Sequence, residues 1–460
     1  MQLRTESIPT QNICKEPINK LDFEKFYTCK SIIGLAELRY TILKKKILVT
    51  NKVLIPLSYM ILGLTIVLIL LTHSPIIGND TSSYVNFSSG RPPLYPIFIW
   101  LFKWCGTHQF EAVVWAKTII FGISFFYARA WLRQRLNIPD FLIFIVCCVT
   151  TVTTFRMVLV SEDLTIPLFI VAFFTSVDVM KEFQLKKIIL LSILVSLLVL
   201  TRNQFYFYYL FFLWLIFWYC WIKIPKIKIV LGASILCFSI VSTSLVSKLY
   251  SYFIHAPTTC DLFLSHQLII QPLYLADMNA IYYFKDPAQK EYIQTVLTQM
   301  KKQKLTASDI PLSPIYPQDI YSYYGFNYDP IAYINCYYLA NIHIPLAYQD
   351  HFMTNIAIIL FLHDLKKNLY FFAWKYTSFF GSIPFAFAVL IVLSAACFRL
   401  SNRYFAPSIE QVFIIVGLVL VLSNNAVVAL VAGGILRYLS YNYFIYYCIA
   451  ALAADRVFLK

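Results

Sequence analysis

A short polar stretch, residues 78–96, interrupts a chain built mostly of apolar runs, and it holds an acid and a base, Asp80 and Arg91, together with Tyr84 and the turn prolines Pro92, Pro93 and Pro96. Three more groups of the same kind follow: Arg156, Ser161, Glu162 and Asp163; Arg202, Asn203 and Gln204; and Arg437 with Tyr438. Arginine forks bind phosphate in two places at once and keep their charge when desolvated. A carboxylate in reach of a hydroxyl can take its proton. A phosphate leaving group carries its own negative charge, so arginines can stabilise it without a general acid. One base and two or three arginines therefore suffice for transfer from a phosphate-activated donor.

Each group also has a plain local explanation. Asp80 suits a turn. Glu162 and Asp163 suit a helix start, with Ser161 as its cap. Arg202 and Arg437 can snorkel to lipid head groups. The case for chemistry is that all four groups fall at the same side of the membrane in the topology below. Ionisable residues at membrane depth are costly and mark function by default.

The elements that must position them are membrane helices. Of 460 residues 59% are hydrophobic and 13% charged, against about 25% charged in a soluble domain. Apolar runs such as Val53–Leu71 and Ile188–Leu200 are continuous, which excludes the alternating pattern of a barrel. The expected fold is an all-α polytopic membrane protein with about ten transmembrane helices and one large external loop. The net charge of +15 comes from basic flanks and loops, so the positive-inside rule accounts for it without nucleic acid. No apolar run precedes Val53, so residues 1–52 read as a basic cytoplasmic segment and the first span as an uncleaved anchor.

Residues 53–249 form a transmembrane core whose first external loop, 73–93, bears Asp80, and residues 250–380 read as a folded external loop with an amphipathic surface helix at Ile356–Phe371, broken at residues 363–367. Residues 381–460 hold the last helices, and here two readings stay open. Ala426–Leu436 is a short crossing, or a re-entrant half-helix that leaves Arg437 outside and the C-terminus in the cytoplasm, which the charges favour. The 11 cysteines form no C-x-x-C pair; Cys260 and Cys336 share the long loop and can pair if it lies in an oxidising compartment. No metal-ligand cluster is evident, and no metal or other cofactor is expected.

At these residues the chain resembles the GT-C superfamily of integral-membrane glycosyltransferases, in particular the protein mannosyltransferase-like and aminoarabinose transferase-like branch. Three passages carry the resemblance: Asp80 to Tyr84 followed by Arg91 to Pro96, Ser161 to Leu164 with Thr201 and Arg202, and Arg437 with Tyr438. It implies an inverting transfer of a sugar from a polyprenyl-phosphate-linked donor to a lipid, glycan or protein acceptor at the outer face of a membrane, with the bacterial inner membrane favoured. Carried over, Asp80 is the catalytic base. Arg202 and Arg437, with Arg91, are candidates for the donor phosphate. Tyr84, Arg156, Glu162, Asp163 and Tyr438 are the further substrate-binding candidates. Many relatives have two adjacent acids where this chain has Asn79 and Asp80. Two rival functions are a glycan polymerase or ligase and a lipid-linked sugar flippase or transporter. The absence of repeated halves weighs against the transporter.

Overall fold

The computed structural model describes residues 53–459 apart from 79, 89–90, 156, 255–259, 310–316, 343, 345, 402–406 and 432–435. Contacts divide the chain at Gly63, inside the first helix α1, Val53–Thr72. All that follows concerns the second unit, Leu64–Lys460.

The membrane-type part begins with two short helices, α2 (Thr81–Val85) and α3 (Leu94–Trp100), and continues with α4 (Gln109–Leu136), α5 (Asp140–Thr154), α6 (Glu162–Lys181), α7 (Leu185–Thr201), α8 (Phe207–Trp221) and α9 (Lys226–Phe253). Helix α6 is its centre. Its apolar window is 89% buried, against 22% for α9 and 28% for the segment Lys103–Leu136. A helix apolar on every side belongs inside. Phe173 and Phe174 of α6 pack against Phe413 and Phe444 of the last helices, and Trp131 of α4 stacks beside Phe174. At the far end of α6, Asp178 accepts from Trp131 Nε1 at 3.1 Å and from Lys187 at 2.6 Å. Asp140 takes Arg129 and Arg133, so several of the basic flanks read as topology signals are also ion-paired.

A second set of helices follows: α10 (Cys260–Leu275), α11 (Pro287–Lys302), α12 (Pro317–Asn341), α13 (Leu346–His363) and α14 (Leu365–Ser378). Helix α11 shows why this part folds. Asp286 caps it by accepting from Ala288 N at 2.9 Å, Pro287 opens it and Lys301 and Lys302 close it. Its buried residues Gln289, Tyr292, Ile293, Val296, Leu297 and Met300 recur at helical spacing. All but Gln289 join Ile269, Tyr274, Tyr324, Met353 and Phe371 in one apolar core. The segment expected to be a loop is thus a helical unit with its own interior. The amphipathic stretch Ile356–Phe371 breaks at Asp364, within the expected 363–367, but its apolar face lies in that core and not on a surface: Ile356, Leu360 and Phe371 are buried. Cys336 carries a free thiol, while the side chain of Cys260 lies outside the described residues.

The chain ends with α15 (Ile383–Ser401), α16 (Ile409–Val431) and α17 (Ser440–Ala454). Helices α14 and α15 meet at 84°, and Gly381 supplies the positive φ of 76° at the turn. Helix α16 runs unbroken through Ser423, Asn424 and Asn425, so residues 426–431, in both open readings the start of a separate segment, are the end of a 23-residue helix. Residues 432–435 of that segment lie outside the described residues. Among the described residues five helices, α1 included, are long and apolar enough to cross a membrane, six with the bent pair. The chain is an all-helical membrane protein, and length supports these five or six of the ten spans expected. Helices α5, α7, α8 and α17 have 15–17 residues, about 22–26 Å against a hydrocarbon core of about 30 Å.

Candidate active site

The first polar loop is folded against the chain that leads into α6. Ile76 N donates to Met157 O at 3.0 Å and Leu159 N to Ile76 O at 3.1 Å, a parallel bridge. Thr81 Oγ1 donates to Leu159 O at 3.2 Å and accepts from Gly78 N at 2.9 Å. A Cβ on Gly78 would stand 3.0 Å from Val158 Cγ1, so only glycine fits this approach without a shift.

Asp80 sits at the N-cap of α2 but makes no side-chain cap bond. Its Oδ1 takes Arg91 Nη2 at 2.6 Å, and each partner is 23% exposed. Arg91 Nε donates to Ser83 Oγ at 2.8 Å, Arg91 Nη1 to the Tyr84 hydroxyl at 3.4 Å, and the guanidinium lies 4.7 Å from the Tyr84 ring centroid. Tyr84 is buried and stands edge-on to the buried Tyr95 at 4.8 Å. Burial pushes the Tyr84 phenol above its usual range, with Arg91 and Arg202 pulling the other way.

The Tyr84 hydroxyl is also 3.1 Å from Ser161 Oγ, which joins the loop to the head of α6. Ser161 occupies the N-cap position without capping the helix. Its hydroxyl accepts instead from Arg202 Nη1 at 3.4 Å and contacts Glu162 Oε2 at 3.4 Å. Arg202 pairs with Glu162 at 2.6 Å and lies 4.5 Å from the Tyr438 ring centroid. Burial disfavours the Arg202 charge, but Glu162 above all, with Tyr441, Tyr438 and Tyr84, holds its pKa well above the usual value. Arg202 follows the last residue of α7 in an extended conformation, which turns it away from the helix axis.

Tyr438 is held by Gln204, which the sequence placed beside Arg202, and by asparagines that sequence reasoning missed. Gln204 Nε2 donates to Tyr438 O at 2.8 Å and to Asn424 Oδ1 at 2.6 Å. Asn424 Nδ2 donates to Tyr438 O at 3.2 Å and to Asn442 Oδ1 at 3.1 Å, and Asn442 Nδ2 donates to Asn425 Oδ1 at 2.6 Å. The available signal was the pair Asn424 and Asn425 inside an apolar run, since amides in a membrane helix seek partners on another.

These groups border an open cavity of about 100 Å³. Its lining combines the polar Arg91, Ser161 and Arg202 with the apolar Val427, Val428 and Val431 of α16, and includes Gln267 of α10. Asp80 does not line the cavity and stands behind Arg91. The site therefore unites Asp80, Tyr84, Arg91, Glu162, Arg202 and Tyr438 from four distant stretches. Asp163 is a correction. Successive helix residues point about 100° apart, so it faces away from Glu162 and pairs with Lys117 at 2.8 Å. Arg156 and the side chain of Arg437 lie outside the described residues. Among the described residues no three His, Cys, Asp or Glu side chains are grouped as metal ligands.

Comparison with family models, curated proteins and solved structures finds no match. The site stands on its own geometry: two ion pairs, Asp80–Arg91 and Glu162–Arg202, linked through two hydroxyls beside an apolar wall.

Proposed function

We propose that this chain is an integral-membrane glycosyltransferase of the GT-C type, moving a sugar from a polyprenyl-phosphate-linked donor to a hydroxyl of a lipid, glycan or protein acceptor. The observation that carries the reading is one cavity lined both by Arg91 and Arg202 and by the valines of a long apolar helix. A lipid with an anionic head has that division of chemistry: its tail lies along Val427, Val428 and Val431, and its phosphate meets the two guanidinium groups. Arg437, next to Tyr438 in sequence, is the third candidate for the phosphate. In the full reading the chain crosses the membrane about ten times, its short helices included, with both termini in the cytoplasm and the site at the outer face of a bacterial inner membrane.

The chemistry follows from the ion pairs. Arg91 pairs with the Asp80 carboxylate. A donor phosphate competes for Arg91 and leaves Asp80 an acceptor for a proton. The acceptor hydroxyl oxygen then bonds to the anomeric carbon, its proton passes to Asp80, and the carbon–oxygen bond to phosphate breaks with its electron pair staying on the phosphate. Arg91 and Arg202 stabilise that oxygen. A single displacement inverts the anomeric centre. Glu162 holds Arg202 in place, and the helices α10–α14 cover the cavity and select the acceptor.

Asp80→Asn tests this. In proteoliposomes supplied with a radiolabelled polyprenyl-phosphate sugar and cell-envelope acceptors, the variant is expected to insert normally and lose at least about a hundredfold in transfer, the scale of a general base. Full transfer by the variant removes Asp80 from the mechanism. Movement of the labelled lipid across the bilayer without a covalent product replaces the reading with a flippase, and a product of many repeat units replaces it with a polymerase.

A further inference from the structure

Lys117 lies inside α4, in one of the long apolar segments, and is 3% exposed. Its ammonium makes two contacts of different kinds: Asp163 Oδ2 at 2.8 Å and the backbone carbonyl of Val158 at 2.9 Å. A buried ion pair is weak evidence for stability, because desolvation offsets the attraction. What it can supply is a fixed geometry, and the placement of these two contacts says which geometry.

Val158 stands in the middle of the Met157–Leu159 segment that pairs with Ile76. Asp163 stands in the first turn of α6, next to Glu162. One ammonium thus spans both ends of the turn 158–163, which presents Ser161 and Glu162 to Arg202. The same segment receives the loop that carries Asp80, through Ile76, through Thr81 on Leu159, and through the contact of Gly78 with Val158. A helix behind the cavity is thereby tied to both acids of the site without touching either.

We propose that Lys117, with Asp163, is a positioning residue: a clasp that sets the register between the first polar loop and the head of α6, and so the spacing of the Asp80–Arg91 and Glu162–Arg202 pairs. What the clasp serves rests on the glycosyltransferase reading, but the clasp itself does not.

Hydrogen exchange of the full chain in nanodiscs, read by mass spectrometry, tests it without substrate. In the native protein the amides of Ile76 and Leu159 are expected to exchange more slowly than unbonded loop amides by at least about tenfold; exchange at the unbonded rate overturns the proposal before any variant is made. In the double variant Lys117→Met with Asp163→Asn, which removes both charges together, peptides covering 74–84 and 157–162 are expected to exchange on the order of tenfold faster while α6, α7 and α16 keep their protection. Lys117→Arg, which keeps a charged donor, is expected to restore most of that protection. Native exchange of both peptides in the double variant overturns the clasp. In the transfer assay the double variant is expected to lower kcat by on the order of tenfold with KM for the lipid donor nearly unchanged, since Arg91 and Arg202 remain. If the chain transfers no sugar at all, the exchange result still stands or falls alone.

Discussion

Arg202 is the residue on which most of the site converges. It meets Glu162 and Ser161 through Nη1 and the face of Tyr438 at once, which leaves the other donors of a planar guanidinium for an anion. Lysine at this position keeps the charge and loses the planar stacking and the two-pronged donation to a phosphate. Hydrogen bonds to charged groups contribute about 1.5–3 kcal/mol, so Arg202→Lys is expected to weaken binding of a polyprenyl phosphate by roughly ten- to a hundredfold. Isothermal titration of the reconstituted variant measures this; binding equal to the native protein would show that the phosphate does not use the fork. Glu162 and Asp163 make a complementary point. Adjacent in sequence and alike in charge, they serve different partners because successive helix residues point about 100° apart, Glu162 to Arg202 and Asp163 to Lys117. Sequence supplied both acids as candidates and had no means of dividing them.

At the scale of elements, the helices α10–α14 meet the membrane helices where Tyr328 donates its hydroxyl to Val431 O at 3.0 Å, at the end of α16. Phe379, just beyond α14, packs with Val428, Ala429 and Leu439 beside Tyr438. Movement of this unit would therefore be felt at the cavity wall. His266 of α10 gives it a pH dependence. Its Nδ1 lies 2.9 Å from Asn335 Nδ2 and 3.6 Å from Cys336 Sγ. Burial lowers its pKa from the usual value, with Asp350 pulling it up. The folded value is depressed, so the stability that neutral His266 contributes is complete above the unfolded pKa of about 6.5 and is lost as pH falls through the folded value. Thermal unfolding followed from about pH 7.5 to about pH 5 is expected to show a falling midpoint that His266→Gln flattens. An unchanged slope in the variant would assign the pH dependence elsewhere.

For the whole molecule, the proposal places the basic turn near Lys223 and the basic end of α11 on opposite sides of the membrane. Single-cysteine variants at Lys223 and at Lys301, in a chain otherwise free of cysteine, separate the two sides. A membrane-impermeant maleimide is expected to label the Lys301 position in intact cells and the Lys223 position only after permeabilisation. Labelling of both from one side would undo the outer-face assignment of α10–α14 and with it the proposed compartment of transfer. This outcome matters because helix length supports five or six crossings, and the short helices α5, α7, α8 and α17 decide the rest.

Composition and the spacing of apolar runs were enough to make this an all-helical membrane protein, because a bilayer admits few other ways to satisfy a backbone. They were also enough to pick out Asp80, Arg91, Glu162 and Arg202, since charge beside an apolar run is costly wherever it occurs. Tertiary structure alone decided that Asp80 stands behind Arg91, that Asp163 belongs to Lys117, that Gln204 and three asparagines hold Tyr438, and that residues 260–378 bury a core of their own. The physical reason is the same in each case: which side chains meet depends on helix rotation and on contacts between distant stretches, 234 positions apart for Gln204 and Tyr438. A local pattern sets the kind of group and its depth, and only packing sets its partner.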